Sequence, residues 1–126
     1  MKVVASPTAA TNAEAVNTFM KGVAERWGSI HGLVALVGGW AGGRDVEETD
    51  DVRFERMLDL NLRSTFYSVR AVVPYLVETG WGRIVTISSS SAQSGAPRMA
   101  HYVASKGGVI ALTKALALEL ARHGIT

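Results

Sequence analysis

The sequence contains no cysteine, which excludes disulfide frameworks, thiolate nucleophiles and thiolate metal sites. It also lacks a long hydrophobic run, because its longest uncharged stretch, residues 27–43, is interrupted by glycines and a histidine and is unlike a membrane span. The apolar stretch near the N-terminus is too short for a signal peptide. We therefore expect a soluble, cytoplasmic protein with no membrane partner.

Clusters of basic residues are missing as well, although the net charge is +2 and the pI is 9.2. A nucleic-acid partner is therefore not expected. His31, His101 and His123 show no metal-ligand spacing, and the carboxylates of residues 45–51 lack the calcium-loop pattern. No Gly-x-Ser-x-Gly sequence surrounds any serine. These observations predict no metal site and argue against a serine hydrolase.

What the sequence does contain is enough for one domain over residues 1–126, with 48% hydrophobic and 19% charged residues. A capping box at residues 11–14 begins a predicted helix over about 12–27, which ends at Gly28. A second helix is predicted over 52–78, with a kink at Pro74 and its end at Gly80. A third is predicted over 101–123, with its end at Gly124.

Two short apolar runs predict strands between these helices. Residues 33–37 form an unbroken run bounded by glycines, as is typical of a strand covered on both faces by helices. Residues 83–87 are apolar and β-branched, residues 3–5 resemble the end of an earlier strand, and residues 125–126 are the predicted start of another. The alternation of strands and helices predicts an α/β domain with a parallel sheet.

The third predicted helix carries a candidate acid. Tyr102 and Lys106 are four positions apart, so they share one helix face, and a nearby ammonium favours the phenolate of a phenol that otherwise ionises near pH ~10. A bare Tyr-x-x-x-Lys is more often a surface tyrosine beside a solvated lysine. Here, however, Ser89 follows a strand, where parallel sheets form their ligand crevice. Its hydroxyl could hydrogen-bond a substrate oxygen while Tyr102 protonates it.

Three segments then identify a family. Gly-Arg-Ile-Val-Thr-Ile-Ser-Ser at residues 82–89 and Tyr-Val-Ala-Ser-Lys at residues 102–106 are preceded by Asn-Leu-Arg-Ser-Thr-Phe at residues 61–66. The order and spacing of Asn61, Ser89, Tyr102 and Lys106 resemble those of the short-chain dehydrogenase/reductase family. The resemblance covers nearly the whole chain.

This resemblance implies an α/β fold with a partial Rossmann-type doubly wound parallel sheet and flanking helices. It implies carbonyl reduction or alcohol oxidation with NAD or NADP. Tyr102 would be the general acid/base, Lys106 would favour its ionised form and bind the nicotinamide ribose, Ser89 would orient the substrate carbonyl, and Asn61 would support a proton-relay water. The cofactor-binding residues would be Gly38, Asn61, Tyr102 and Lys106.

The implied partners are a small-molecule carbonyl or alcohol and further copies of the chain. Helices 52–79 and 101–123 resemble those through which family members form dimers and tetramers, so we expect a homo-oligomer.

The family pattern is also incomplete in this sequence. The Gly-rich dinucleotide loop and the C-terminal substrate loop of the family are absent, and at residues 35–38 only Gly38 matches the family's Asn-Asn-Ala-Gly. We therefore expect a truncated family member. Two hypotheses stay open: an active oxidoreductase, and a catalytically inactive fragment that acts as an oligomerising or assembly module.

The glycine-rich loop at residues 38–43 is a candidate phosphate loop, since glycines after a strand expose backbone N–H groups. The carboxylates of residues 45–51 would repel a pyrophosphate, however. We prefer a loop that lines the cofactor crevice, with Trp40 as cover or core.

Overall fold

The computed structural model describes residues 2–126. Five α-helices and two strands alternate along this part of the chain: α1 (Ala13–Trp27), β1 (Gly32–Ala35), α2 (Asp51–Met57), α3 (Ser64–Thr79), β2 (Arg83–Thr86), α4 (Ser91–Ser94) and α5 (Ala100–Leu120). A π-helical segment, Leu58–Arg63, joins α2 to α3, and single 3-10 turns cover Val46–Glu48 and Ala121–His123. The structure is thus α/β, as predicted.

The helix ends follow the local sequence signals. Asn12 caps α1, its side-chain oxygen accepting the N–H of Ala15 at 2.9 Å. The chain turns at Gly28, Gly80 and Gly124, whose φ angles of 80°, 70° and 69° are left-handed. Glycine adopts this conformation without a steric penalty, so the three predicted helix stops are confirmed.

The sheet is parallel, as predicted. β1 pairs with β2 in the register Gly32 to Arg83 through Ala35 to Thr86. On the other side of β2, Gly82 forms a parallel bridge with Ile125, and the N–H of Ile84 donates to the carbonyl of Thr126 at 2.8 Å. The last two residues of the chain therefore extend the sheet, and β2 is its central strand.

One face of the sheet packs against the core and the other is open. The core joins buried side chains of α1, α3 and α5, including Val16, Met20, Val72, Leu76 and Leu120, to Leu33 and Ile84 of the strands. Val34 and Val85, which alternate with these strand residues, are 58% and 48% exposed. The expectation that helices cover β1 on both faces is wrong for residues 2–126, because α1, α3 and α5 all lie on the same side.

Other boundaries differ from the sequence predictions. Residues 3–5 form no strand, and the two strands end at Ala35 and Thr86, two and one residues before the predicted ends. The long second helix is not regular, since its middle is π-helical. Pro74 lies inside α3 without ending it.

Candidate active site

Lys106 is buried at the carboxyl end of the sheet. Helix α5 holds Tyr102 and Lys106 one turn apart, and Lys106 is only 6% exposed. Its Nζ donates to the carbonyl of Ile87, just beyond β2, at 2.9 Å. A buried ammonium needs such partners, so the end of β2 fixes where the charge lies.

Gly38 lies against both Lys106 and Asn61. A Cβ atom at this position would be 2.9 Å from Asn61 Oδ1 and 3.2 Å from Lys106 Nζ. Only glycine fits there without displacing one of the two side chains. Three of the four predicted cofactor-binding residues, from the loop after β1, the π-helical segment and α5, therefore meet at one point.

Asn61 is fully buried and links two elements. Its Oδ1 accepts the N–H of Gly39 at 2.8 Å, and its Nδ2 donates to Ser105 Oγ at 2.9 Å. The hydroxyl of Thr65 donates to its main-chain carbonyl at 2.8 Å. Because both side-chain atoms have protein partners, Asn61 holds the loop after β1 against α5.

The serine-rich loop forms the remaining wall of the site. Ser89 Oγ lies 2.9 Å from Ser91 Oγ, at the start of α4, and Ser88 Oγ donates to the carbonyl of Lys106 at 2.8 Å. Within residues 2–126, no hydrogen bond joins Ser89 to the half-buried Tyr102. The structure thus brings Asn61, Gly38 and Lys106 into contact, whereas Ser89 and Tyr102 flank them without touching through polar atoms.

The π-helical segment that carries Asn61 is braced by ion pairs on its outer side. Arg63 donates to Asp59 at 2.5 Å and to Glu55 at 2.7 Å. Hydrogen bonds to Asp59 and then to Glu55 raise the pKa of the Arg63 guanidinium above its already high value. The charges of Asp59 and Glu55 are thus partly neutralised by Arg63.

Arg98 is a clamp that the sequence did not indicate. It adopts a left-handed φ of 60°, which is rare for a residue with a Cβ. Its carbonyl accepts the N–H of Gly43 at 2.9 Å, and its Nη2 donates to the carbonyl of Gly43 at 2.7 Å. The loop after β1 is thereby tied to the loop before α5, and Trp40 is left 67% exposed beside it.

Ser105 is a second residue that sequence reasoning missed. It is fully buried, accepts from Asn61, and donates to the carbonyl of Tyr102 at 2.8 Å. Its position inside Tyr-Val-Ala-Ser-Lys, adjacent to Lys106, was the available signal. The arrangement can present an ammonium, a phenol and hydroxyls to a ligand at the carboxyl end of a parallel sheet, where such sheets bind nucleotides.

Among residues 2–126, no group of three or more histidine or acidic side chains is placed to hold a metal ion. In the same part of the chain, no helix is long and apolar enough to cross a bilayer.

Comparison with known proteins gives the same architecture. The chain is 35% identical over 127 residues to D-beta-hydroxybutyrate dehydrogenase of Rhizobium meliloti, an alignment that covers 98% of this chain and 48% of the relative. A structure of carveol dehydrogenase from Mycobacterium avium with NAD superposes with a TM-score of 0.94 at 32% identity, covering 98% of this chain and 45% of that one. ElxO with NADP bound gives 0.91 at 30% identity, covering 94% and 48%.

The matched structures show that the sheet and helices are part of a Rossmann-like fold. The chain spans about half the length of the relatives it matches. The sequence model of the short chain dehydrogenases matches residues 1–126. The chain therefore belongs to the short chain dehydrogenase family.

Proposed function

We propose that the chain carries the reaction centre of an oxidoreductase that uses NAD or NADP to reduce a small-molecule carbonyl or oxidise an alcohol. The observation that supports this most is the junction of Gly38, Asn61 and Lys106, where a Cβ on Gly38 would strike both other side chains. A glycine at this position lets the backbone of the loop approach both side chains closely.

The residues at this junction fit the nicotinamide half of such a cofactor. Lys106 Nζ has three N–H donors, of which one is given to the carbonyl of Ile87 at 2.9 Å. The others are free to bind ribose hydroxyls, and Gly38 leaves the approach open. The cofactor, when bound, supplies or accepts the hydride.

Proton transfer is assigned to Tyr102. Tyr102 lies one helical turn before Lys106 on the same helix. In reduction Tyr102 gives a proton to the substrate oxygen, and in oxidation it takes one. Ser89 orients that oxygen through its hydroxyl, which in this structure bonds to Ser91.

Asn61 is assigned a positioning role. Both of its side-chain polar atoms have protein partners, so the water relay that the family resemblance implies would use its main-chain carbonyl. That carbonyl also accepts the Thr65 hydroxyl. A carbonyl oxygen has two lone pairs and can take a second donor.

The proposed protein is a cytoplasmic homo-oligomer. Large apolar side chains are exposed on the helices predicted to form the interface: Val52 at 78%, Phe54 at 40%, Phe66 at 42% and Leu118 at 85%. Surfaces of this kind favour association with a second copy. Because the chain spans about half the length of its relatives, the activity is proposed for the whole protein of which these residues are the reaction centre.

Cofactor binding by the chain tests the proposal. NADH and NADPH are titrated while the fluorescence of the nicotinamide is followed. We expect saturable binding that Lys106→Ala weakens about tenfold or more, since a charge-assisted hydrogen bond is lost. Tyr102→Phe should keep the binding but abolish turnover of any substrate found. Lys114→Ala is the matched control, because Lys114 is exposed on the same helix.

The alternative is a catalytically inactive assembly module, which the exposed apolar side chains of the long helices favour. A folded chain that binds neither nucleotide at millimolar concentration, yet sediments as a concentration-dependent oligomer, would support this alternative and contradict the oxidoreductase. Circular dichroism establishes that each variant is folded before it is titrated.

A further inference from the structure

A cavity lies between the loop after β1, α2 and the start of α5. Its volume is about 250 Å³. Pockets for drug-sized ligands have volumes of about 300–1,000 Å³, so this one suits a smaller molecule. Its walls include Gly39 and Gly42 of the loop together with the side chains of Arg44, Arg53, Arg56 and His101.

The charged residues that line this cavity are all arginines. Three arginines are among its lining residues, and no aspartate or glutamate of the described residues is. Arg53 is neutralised by an ion pair with Asp50. Within residues 2–126, Arg44 and Arg56 form no ion pair. Two uncompensated positive charges from two different elements therefore face a common space.

His101 is also one of the lining residues of this cavity, and its side chain is buried. The side chain is 3% exposed, and its Nδ1 has no hydrogen-bond partner among the described residues. Buried polar atoms in folded proteins almost always have a partner in protein, water or ligand. His101 is also the second residue of α5, so the cavity lies beside the first turn of a long helix, where free N–H groups favour an anion.

We propose that this cavity binds a phosphate group, either as inorganic phosphate or as a small phosphate monoester. A phosphate carries a charge of about −1.5 to −2 and several acceptor oxygens, which match two free guanidinium groups and one imidazole nitrogen. The side chains hold the anion, not the glycine backbone. Of the five carboxylates of residues 45–51, Asp45 is paired with Arg98 and Asp50 with Arg53, and none of the five lines the cavity.

Such a ligand would connect three elements. Arg44 lies on the loop after β1, Arg56 on α2 and His101 on α5. The same loop begins at Gly38, against Lys106. A bound phosphate would therefore hold in place the loop that borders the proposed reaction centre, although the site is separate from that centre and does not depend on its activity.

The test is a calorimetric titration of the chain, without any nicotinamide cofactor, at constant ionic strength. Inorganic phosphate is used in one arm and glycerol 3-phosphate in the other. We expect saturable binding at one site in at least one arm, and the arm with the lower Kd identifies the source of the phosphate group. Arg56→Gln and Arg44→Gln should each raise the Kd about tenfold, whereas Arg122→Gln, a matched exposed arginine beyond α5, should leave it within twofold.

The imidazole signals of the wild-type chain provide a second readout that needs no variant. Phosphate should shift the His101 resonance, while those of His31 and His123, which lie outside the cavity, serve as internal references. Absence of saturable binding in both arms would mean that water alone fills the cavity, and the proposal would be wrong. Equal affinity of the wild type and Arg56→Gln, or a shift of all three histidines together, would overturn it equally, because binding would then be non-specific.

Discussion

Asn61 sets the geometry of the candidate site through two side-chain bonds. It accepts from the backbone of the loop after β1 and donates to Ser105 on α5. Asn61 is fully buried, and its bond to Ser105 is buried as well, whereas its bond to Gly39 is partly buried. The position of Gly38, and with it the approach to Lys106, therefore depends on this one amide.

Replacing Asn61 should consequently lower the stability of the whole chain. Asn61→Ala leaves the Gly39 N–H without its acceptor and the Ser105 hydroxyl without the amide that donates to it. Each buried group that loses its partner costs about 1–3 kcal/mol. We expect urea denaturation to show a loss of about 2–4 kcal/mol in the free energy of unfolding. Asn17→Ala is the control on the exposed side of α1 and should change it by less than about 0.5 kcal/mol. Equal effects of the two substitutions would show that Asn61 is not a brace.

At the scale of the elements, Gly108 lets α5 pack closely against the π-helical segment. A Cβ on Gly108 would lie 2.8 Å from Leu62 Cδ2, whereas a Cβ on Gly107 would meet nothing within 4 Å. Two adjacent glycines of one helix therefore differ only in what they face. Gly108 permits the close approach that also brings Ser105 to Asn61.

Alanine at these two positions should act in opposite directions. Gly107→Ala should raise the free energy of unfolding by about 0.5–1 kcal/mol, because alanine is the better helix former and the space is open. Gly108→Ala should lower it by about 1–2 kcal/mol, since Leu62 must move. Thermal unfolding of the two variants measures the difference. If both variants were stabilised to the same extent, the contact between α5 and the π-helical segment would be looser in solution than in this structure.

The elements also show how far the sequence alone leads. Helix stops at Gly28, Gly80 and Gly124 follow from local backbone chemistry, and all three were predictable. The π-helical segment was not, because its apolar side chains still follow a nearly helical spacing while the backbone bonds shift by one residue. Residues 3–5 have the composition of a strand, but among residues 2–126 no strand pairs with them.

Within the candidate site, local contacts could also be predicted from the sequence, whereas long-range contacts could not. The separation of Tyr102 and Lys106 follows from helix geometry, and the family resemblance supplied Asn61 and Ser89. The bonds of Asn61 to Gly39 and Ser105 join residues 22 and 44 positions apart. No local pattern specifies such pairs. The clamp at Arg98 depends likewise on a partner loop 55 positions away.

At the scale of the molecule, the sheet separates a packed side from an open one. All the long helices pack on the face that carries Leu33 and Ile84, while Val34 and Val85 face outwards. An exposed apolar sheet face promotes association with other apolar surfaces. The open face should therefore dominate how the chain behaves in solution, without contributing to its core.

A pair of isosteric substitutions separates these two sides. Val34→Thr should change the free energy of unfolding by less than about 0.5 kcal/mol, because the side chain is already 58% exposed, and it should reduce the binding of a hydrophobic dye. Val16→Thr makes the same chemical change where the side chain is 3% exposed and should cost about 1–3 kcal/mol. A large loss of stability in Val34→Thr would show that the open face is covered in solution.

The parallel register of the two strands has a consequence for the order in which the molecule forms. β1 and β2 join residue 32 to residue 83, and their pairing must close a loop of some fifty residues. The backbone hydrogen bonds of helices α1, α3 and α5 are local, so these helices can form early, whereas the sheet and the Asn61 bridge wait for distant parts of the chain to meet. The candidate site is thus among the last parts to assemble, and a nucleotide that bound there would select chains that have completed folding.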